Sequence, residues 1–281
     1  MTPNLVTTLW VAEAIAEQKP LKLLDASWYL PTMDRDARQE FHTQRIPGAG
    51  FFDIDQVSDT NSPYPHMLPS AAAFCEALTT LGIKPEDHVV IYDGAGIFSA
   101  PRLWWTFKAM GHAAVSVMDG GLPKWMRENH PLEIGAAALP LPTNYAVRQN
   151  TQWVRSRNDV IENLKTGAEL IMDARPAPRF SGAVAEPRPG LAKGHIPDSI
   201  NLPFPECLTP EGTYHSPEKL SSLFTDLDVP KDKPLVTSCG SGVTAAIILL
   251  ALSLTGRDDI SLYDGSWAEW GSVDGLPVEQ S

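Results

Sequence analysis

The stretch PLVTSCGSGVTAAIILLALSL, residues 234–254, carries three patterns in succession. PLVTS reads as a short buried strand, TAAIILLALSL as a strongly apolar helix, and Cys239–Val243 as the connection between them. Strands alternating with helices imply a parallel sheet covered on both faces. Ligands of such sheets bind outside the carboxyl ends of the strands, and Cys239 stands at that kind of end. Gly240 and Gly242 permit backbone conformations closed to other residues, so the loop can turn successive N–H groups toward the sulfur. The helix that follows adds unsatisfied N–H groups and its positive end. A thiol so placed commonly falls from about 8.5 into the range of about 3.5–7.5, and the thiolate is the nucleophile. The expectation is therefore a reactive cysteine. A buried thiol beside an ordinary turn is the alternative, and it leaves the surrounding glycines and hydroxyls unexplained.

Outward from this loop, the chain repeats itself. LKLLDAS (21–27), RIPGAGFFDI (45–54), HVVIYDGAG (88–96) and VSVMDGGLPKW (115–125) run in order through the first half. ELIMDAR (169–175), HIPDSINLPF (195–204), PLVTSCGSG (234–242) and ISLYDGSWAEW (260–270) follow in the second. Two α/β domains are expected, residues 1–134 and 151–281. GAAALPLPTNYAVRQN, residues 135–150, joins them as a linker of small residues and prolines. Helix signals recur too. SAAAFCEALTTLG has Ser70 as N-cap and Gly82 just past its end, and SPEKLSSLF has Ser216 as N-cap with Pro217 at the first helical position. In the first half Asp93 falls where Cys239 falls in the second. An aspartate cannot do thiol chemistry, so the first half reads as a degenerate copy supplying scaffold.

Composition narrows the class. The 281 residues are 43% hydrophobic and 20% charged with a formal net charge of −12, which suits a globular chain and disfavours a nucleic-acid surface. Ala245–Leu252, the longest apolar run, is too short to span a bilayer. The start, MTPNLVTTLW, lacks a basic region followed by an apolar core, so a cytoplasmic enzyme is expected. The three cysteines match neither a disulfide framework nor a zinc pattern. Cys75 reads as a buried structural thiol on the face shared by Phe74 and Leu78. Cys207, in a proline-rich loop, receives no role. Asp25, Asp173 and His195 read as local hydrogen-bonding residues, and Trp104 and Trp105 as core.

With the repeat, DARPAPRF, GHIPD, CGSGVT and YDGSWAEW in view, the chain resembles the two-domain rhodanese-type sulfurtransferases over nearly its whole length. The CGSGVT form is typical of the 3-mercaptopyruvate sulfurtransferases. Thiosulfate sulfurtransferases usually carry two basic residues where Gly240 and Ser241 stand. The resemblance implies two tandem rhodanese-like domains, the second catalytic. It also implies a cycle in which Cys239 takes sulfur from 3-mercaptopyruvate as a persulfide, pyruvate leaves, and a thiol such as thioredoxin, or cyanide, accepts the sulfur. Further implied are Arg179 and Arg188 as binders of the substrate carboxylate and keto oxygen, and the loop residues Gly240, Gly242, Val243 and Thr244 as the rest of the binding site. Ser241, Asp55 and His66 would manage the proton, with Asp55 and His66 reaching the site from the first half. Without the resemblance, Arg179 and Arg188 read as well for exposed loop arginines or partners of Glu186 as for substrate binders. Asp55 then reads as a capping residue and His66 as a loop histidine.

Three rivals remain. A thiosulfate sulfurtransferase would use the same persulfide. An inactive persulfide-binding module would keep the cysteine without turnover. A cysteine phosphatase needs an arginine six residues past the cysteine, where this chain has Ala245.

Overall fold

The computed structural model describes residues 2–138 and 140–281. The chain forms two compact units: one of Met1–Thr60, Pro69–Asn150 and Pro210–Tyr214, the other of Asn61–Leu68, Thr151–Thr209 and His215–Ser281. Each unit thus includes a short segment supplied by the opposite half of the sequence.

The first unit is built on a five-stranded sheet of β1 (Leu5–Val6), β2 (Leu21–Asp25), β3 (Gly50–Phe51), β4 (His88–Tyr92) and β5 (Val115–Met118), in the order β1-β5-β4-β2-β3. The second carries β6 (Val154–Arg155), β7 (Leu170–Asp173), β8 (Ile200–Asn201), β9 (Leu235–Ser238) and β10 (Ile260–Tyr263), in the order β6-β10-β9-β7-β8. Every pairing is parallel, and the two orders are the same when strands are matched in sequence. The repeat read from short motifs is therefore a repeat of topology, and the two-domain α/β expectation holds.

Alternation along the strands explains the helices on both faces. Leu23, Val90 and Tyr92 pack with Val11, Phe41 and Trp125 on one side. On the other, Phe74 of the helix Ala71–Thr80 meets Phe107 of the helix Ala100–Ala109, ring centroids 5.2 Å apart. In the second unit Ile171, Val236 and Tyr263 pack with Val160, Trp267 and Trp270. The opposite face belongs to the helix Ala245–Leu254, whose residues 245–252 are all buried. A helix apolar all round needs cover on every side, and this one packs on β9, β10 and the helix Pro217–Asp226.

Caps fall where the sequence placed them. The Ser70 and Ser216 hydroxyls accept the N–H groups of Ala73 and Lys219. Trp104 and Trp105 are core. Cys75 departs from expectation: it is only half-buried, because the buried face of its helix is centred on Phe74 and Leu78. The end of the 135–150 stretch is bound rather than loose. The Arg148 and Asn150 N–H groups donate to Met110 and Ala109, and the Tyr145 hydroxyl lies 2.7 Å from His112 Nδ1. Among the described residues, no helix is long and apolar enough to cross a membrane.

Candidate active site

Cys239 follows the last residue of β9 and is 2% exposed. The Gly242 N–H donates to its Sγ at 3.1 Å. Its own N–H donates to Ser266 Oγ at 3.3 Å, and Ser266 donates to the Tyr263 carbonyl. The start of the helix Ser266–Trp270 grips the loop from the carbonyl side, Trp267 N–H on Cys239 and Ala268 N–H on Gly240. The first turn of a helix carries spare N–H donors, and here two of them fix the two peptide units that follow Cys239.

The corresponding loop of the first unit closes around its own side chain. Asp93 follows β4 as Cys239 follows β9, and it is fully buried. Its carboxylate accepts the N–H groups of Ala95, Phe98, Ser99 and Ala100 at 2.8–2.9 Å. The loop after the central strand is thus an anion cradle in the first unit, occupied by its own side chain. In the second unit a thiol side chain stands at the same place.

The two glycines beside Cys239 act for different reasons. Gly242 has φ of +79° and occupies the left-handed region, as expected. Gly240 does not. Its requirement is space: a Cβ there would lie 3.1 Å from Arg179 Nη2 and 4.0 Å from Arg188 Nη1. The conformational role expected of Gly240 is corrected accordingly. Val243 is buried and Thr244 half-buried ahead of the helix Ala245–Leu254, whose first turn they open by accepting from Ala246 and Ile247.

Both arginines thus come to the mouth of the loop, but in different states. Arg179 Nε donates to both oxygens of Glu186 at 3.1 Å, and its Nη2 also pairs with Glu186. Glu186 is itself buried and takes Arg175 Nη1 at 2.8 Å. Arg175 continues to Asp173 and stacks on the Trp267 ring, 4.3 Å from its centroid. A buried chain Asp173–Arg175–Glu186–Arg179 therefore locks the Arg179 guanidinium over Gly240. Arg188, half-buried, has no ion pair among the described residues and presents a whole guanidinium.

Ser241 is buried, with its Oγ 3.1 Å from His66 Nδ1. His66 belongs to the segment Asn61–Leu68 that packs in the second unit, although it comes from the first half of the sequence. It has φ of +62° and is 5% exposed. Asp55 lies in the first unit, in the helix Ile54–Val57, where its Oδ2 accepts the Trp28 indole N–H at 2.9 Å. The cap of that helix is Asp53, which accepts from Gln56.

The repeat offers an internal comparison that sequence reading did not use. His66 and Gly212 each lie four residues ahead of a helix cap, Ser70 and Ser216, and both are left-handed, Gly212 at φ +79°. Ser266 and Gly121 also correspond, at φ +49° and +52°. Twice, then, the second unit places a side chain that hydrogen-bonds to the sulfur loop where the first uses glycine. Holding a non-glycine residue there costs about 1–3 kcal/mol and marks sites where strain serves a purpose.

Cys207 is fully buried. Burial pushes the Cys207 thiol up to about 12, with the Glu206 charge adding to it. His195 stacks on Phe180 at 3.8 Å and reaches the Phe180 carbonyl through Nδ1, a local structural role.

Comparison with known proteins fits this geometry. The Rhodanese-like domain family matches residues 7–128 and 156–272. The 3-mercaptopyruvate sulfurtransferase of Rattus norvegicus is 49% identical over 271 residues, covering 95% of this chain and 91% of that protein. The thiosulfate sulfurtransferase of the same organism is 43% identical over 272 residues, with coverage of 95% and 91%. Among solved structures, SseA from Escherichia coli, a 3-mercaptopyruvate sulfotransferase, superposes with a TM-score of 0.85 at 40% identity, covering 95% of this chain and 99% of that one. A tandem pair of matching domains, one holding a cradled aspartate and the other a cradled cysteine, places this chain in the rhodanese-like family.

Proposed function

We propose that the protein is a sulfurtransferase that moves the sulfur of 3-mercaptopyruvate through Cys239 to a thiol acceptor. The observation that carries the reading is the Gly242 N–H on Cys239 Sγ at the floor of a loop whose mouth holds Arg179 and Arg188. The Cys239 thiolate attacks the thiol sulfur of the donor. An S–S bond forms, the C–S bond breaks, and its electron pair leaves as the pyruvate enolate. The proton on the transferred sulfur passes to the enolate carbon, which yields pyruvate and a Cys239 persulfide anion. Ser241 and His66, 3.1 Å apart, supply a route for that proton. An acceptor thiolate then takes the outer sulfur and regenerates Cys239. Covalent catalysis thereby divides one transfer into two steps.

The charge layout favours this donor over thiosulfate. Gly240 and Ser241 leave the loop itself neutral, and the positive charge stands on Arg179 and Arg188 beyond it. A carboxylate several bonds from the moving sulfur suits that spacing. Because Glu186 already engages Arg179, Arg188 carries most of the carboxylate binding and Arg179 orients it. The three cysteines are all free, which fits a reducing compartment, and we place the enzyme in the cytoplasm with a dithiol of the thioredoxin type as acceptor. The test compares pyruvate release from 3-mercaptopyruvate with thiocyanate formation from thiosulfate plus cyanide. Intact mass is measured after each donor. Faster turnover of 3-mercaptopyruvate and one added sulfur on Cys239 are expected. Faster turnover of thiosulfate would replace the reading with the second activity, and no added sulfur with either donor would overturn it.

A further inference from the structure

Asp264 follows β10 directly and is 5% exposed. Its Oδ2 accepts the Leu68 N–H at 2.7 Å, across 196 residues of sequence. Leu68 lies two residues after His66, within the same short segment of the second unit. His66 has a left-handed backbone and turns Nδ1 toward Ser241. A non-glycine residue keeps such a conformation only where its surroundings over-determine it. The part-buried bond from the Leu68 N–H to the Asp264 carboxyl is a restraint of that kind.

The first unit contains the same device without the chemistry. Asp119 follows β5, and its Oδ1 accepts the Tyr214 N–H at 2.9 Å. Tyr214 corresponds to Leu68, each two residues ahead of its helix cap, and Gly212 corresponds to His66. One clamp thus holds a glycine and the other holds a strained histidine against the serine of the sulfur loop.

We infer that Asp264 is a positioning residue for the reaction: through the Leu68 amide it fixes His66 in register with Ser241. The inference rests on the functional reading above for its kinetic consequence, and on the hydrogen bond alone for its structural one.

The experiment is a double-mutant cycle on the full chain, using Asp264→Ala, His66→Ala and the pair, with pyruvate release from 3-mercaptopyruvate as the rate. Asp264→Ala is expected to lower kcat about 10- to 100-fold, part of the 10²–10⁴ that acid–base help supplies, with KM changed less than about twofold. In the His66→Ala background the same change is expected to cost less than about twofold, because residues that act as a unit are not additive. Asp264→Asn keeps an acceptor oxygen for Leu68 but not its charge, and is expected to lose only about threefold. If Asp264→Ala does not fold, the cycle is run with Asp264→Asn, whose smaller loss must likewise vanish beside His66→Ala.

Independently of turnover, the His66 imidazole proton resonances should shift on Asp264→Ala and return toward wild type in Asp264→Asn. Losses that multiply in the double variant, or resonances that stay put, would overturn the inference. If the wild type releases no pyruvate, the functional reading falls, and the resonances still decide whether Asp264 places His66.

Discussion

Replacing Gly240 with alanine isolates the space that the loop keeps for Arg179. Because Gly240 is outside the left-handed region, a methyl group meets no backbone penalty. It meets Arg179 Nη2 at 3.1 Å instead. Ordinary contact begins at about 3.5 Å, so the guanidinium must withdraw by about 0.4 Å. It cannot swing away freely, because Glu186 holds Nε and Nη2 and is itself held by Arg175. A misplacement of 1 Å costs on the order of 10²-fold, so 0.4 Å corresponds to roughly sixfold. The expected result is a drop of about sixfold in kcat/KM for 3-mercaptopyruvate and less than about twofold for thiosulfate, which has no carboxylate to misplace. Stability should stay level or rise by about 0.4–1 kcal/mol, since alanine restricts the unfolded chain. Pyruvate and thiocyanate assays on the same preparation, with urea melts, read all three numbers. Equal losses with both donors would refute the argument that Gly240 spares room for a carboxylate-orienting arginine. So would a loss of stability of several kcal/mol, which would mean the backbone itself needs glycine.

Other outcomes follow from the same geometry. Cys239→Ser should abolish sulfur transfer and the added mass of sulfur while leaving the urea midpoint near wild type; residual turnover would place the nucleophile elsewhere. His66→Gly should be about 1 kcal/mol more stable than His66→Ala, since alanine keeps the left-handed penalty and glycine removes it, less glycine's unfolded-chain entropy; equal urea midpoints would show that His66 is not strained. Asp25→Asn should gain stability over wild type as pH rises. Burial lifts the Asp25 carboxyl from 3.8 to about 6, partly offset by its Ser27 bonds, with Asp93 adding to the rise. A raised folded value means the folded state binds the proton more tightly, so wild type loses stability between about pH 4 and pH 6 and the loss is complete above that. The two values differ by about two units, or roughly 3 kcal/mol. Urea denaturation of both proteins across that window should show the difference opening, and a constant difference would refute the assignment.

Sequence by itself determined the repeat, the alternation of strands and helices, and the strand-end position of Cys239 in the second half. These are local or periodic properties: apolar runs of fixed length, caps at fixed offsets, and motifs recurring in one order. The strand order came from the structure, and it is the same in both units because two copies of one motif series fold alike. Sequence also brought Arg179, Arg188, His66 and Ser241 forward as candidates, but it could not assign their states. Only the tertiary structure decided that Glu186 binds Arg179 and is anchored by Arg175, that Gly240 is needed for room rather than rotation, and that the His66 segment packs with the second unit. The decisive pairs lie far apart in the chain, 175 residues for His66 and Ser241 and 196 for Leu68 and Asp264. Pairs so distant leave no period and no spacing to read. Likewise, a left-handed φ at histidine or serine is imposed by the packing around it, against the preference of the residue itself.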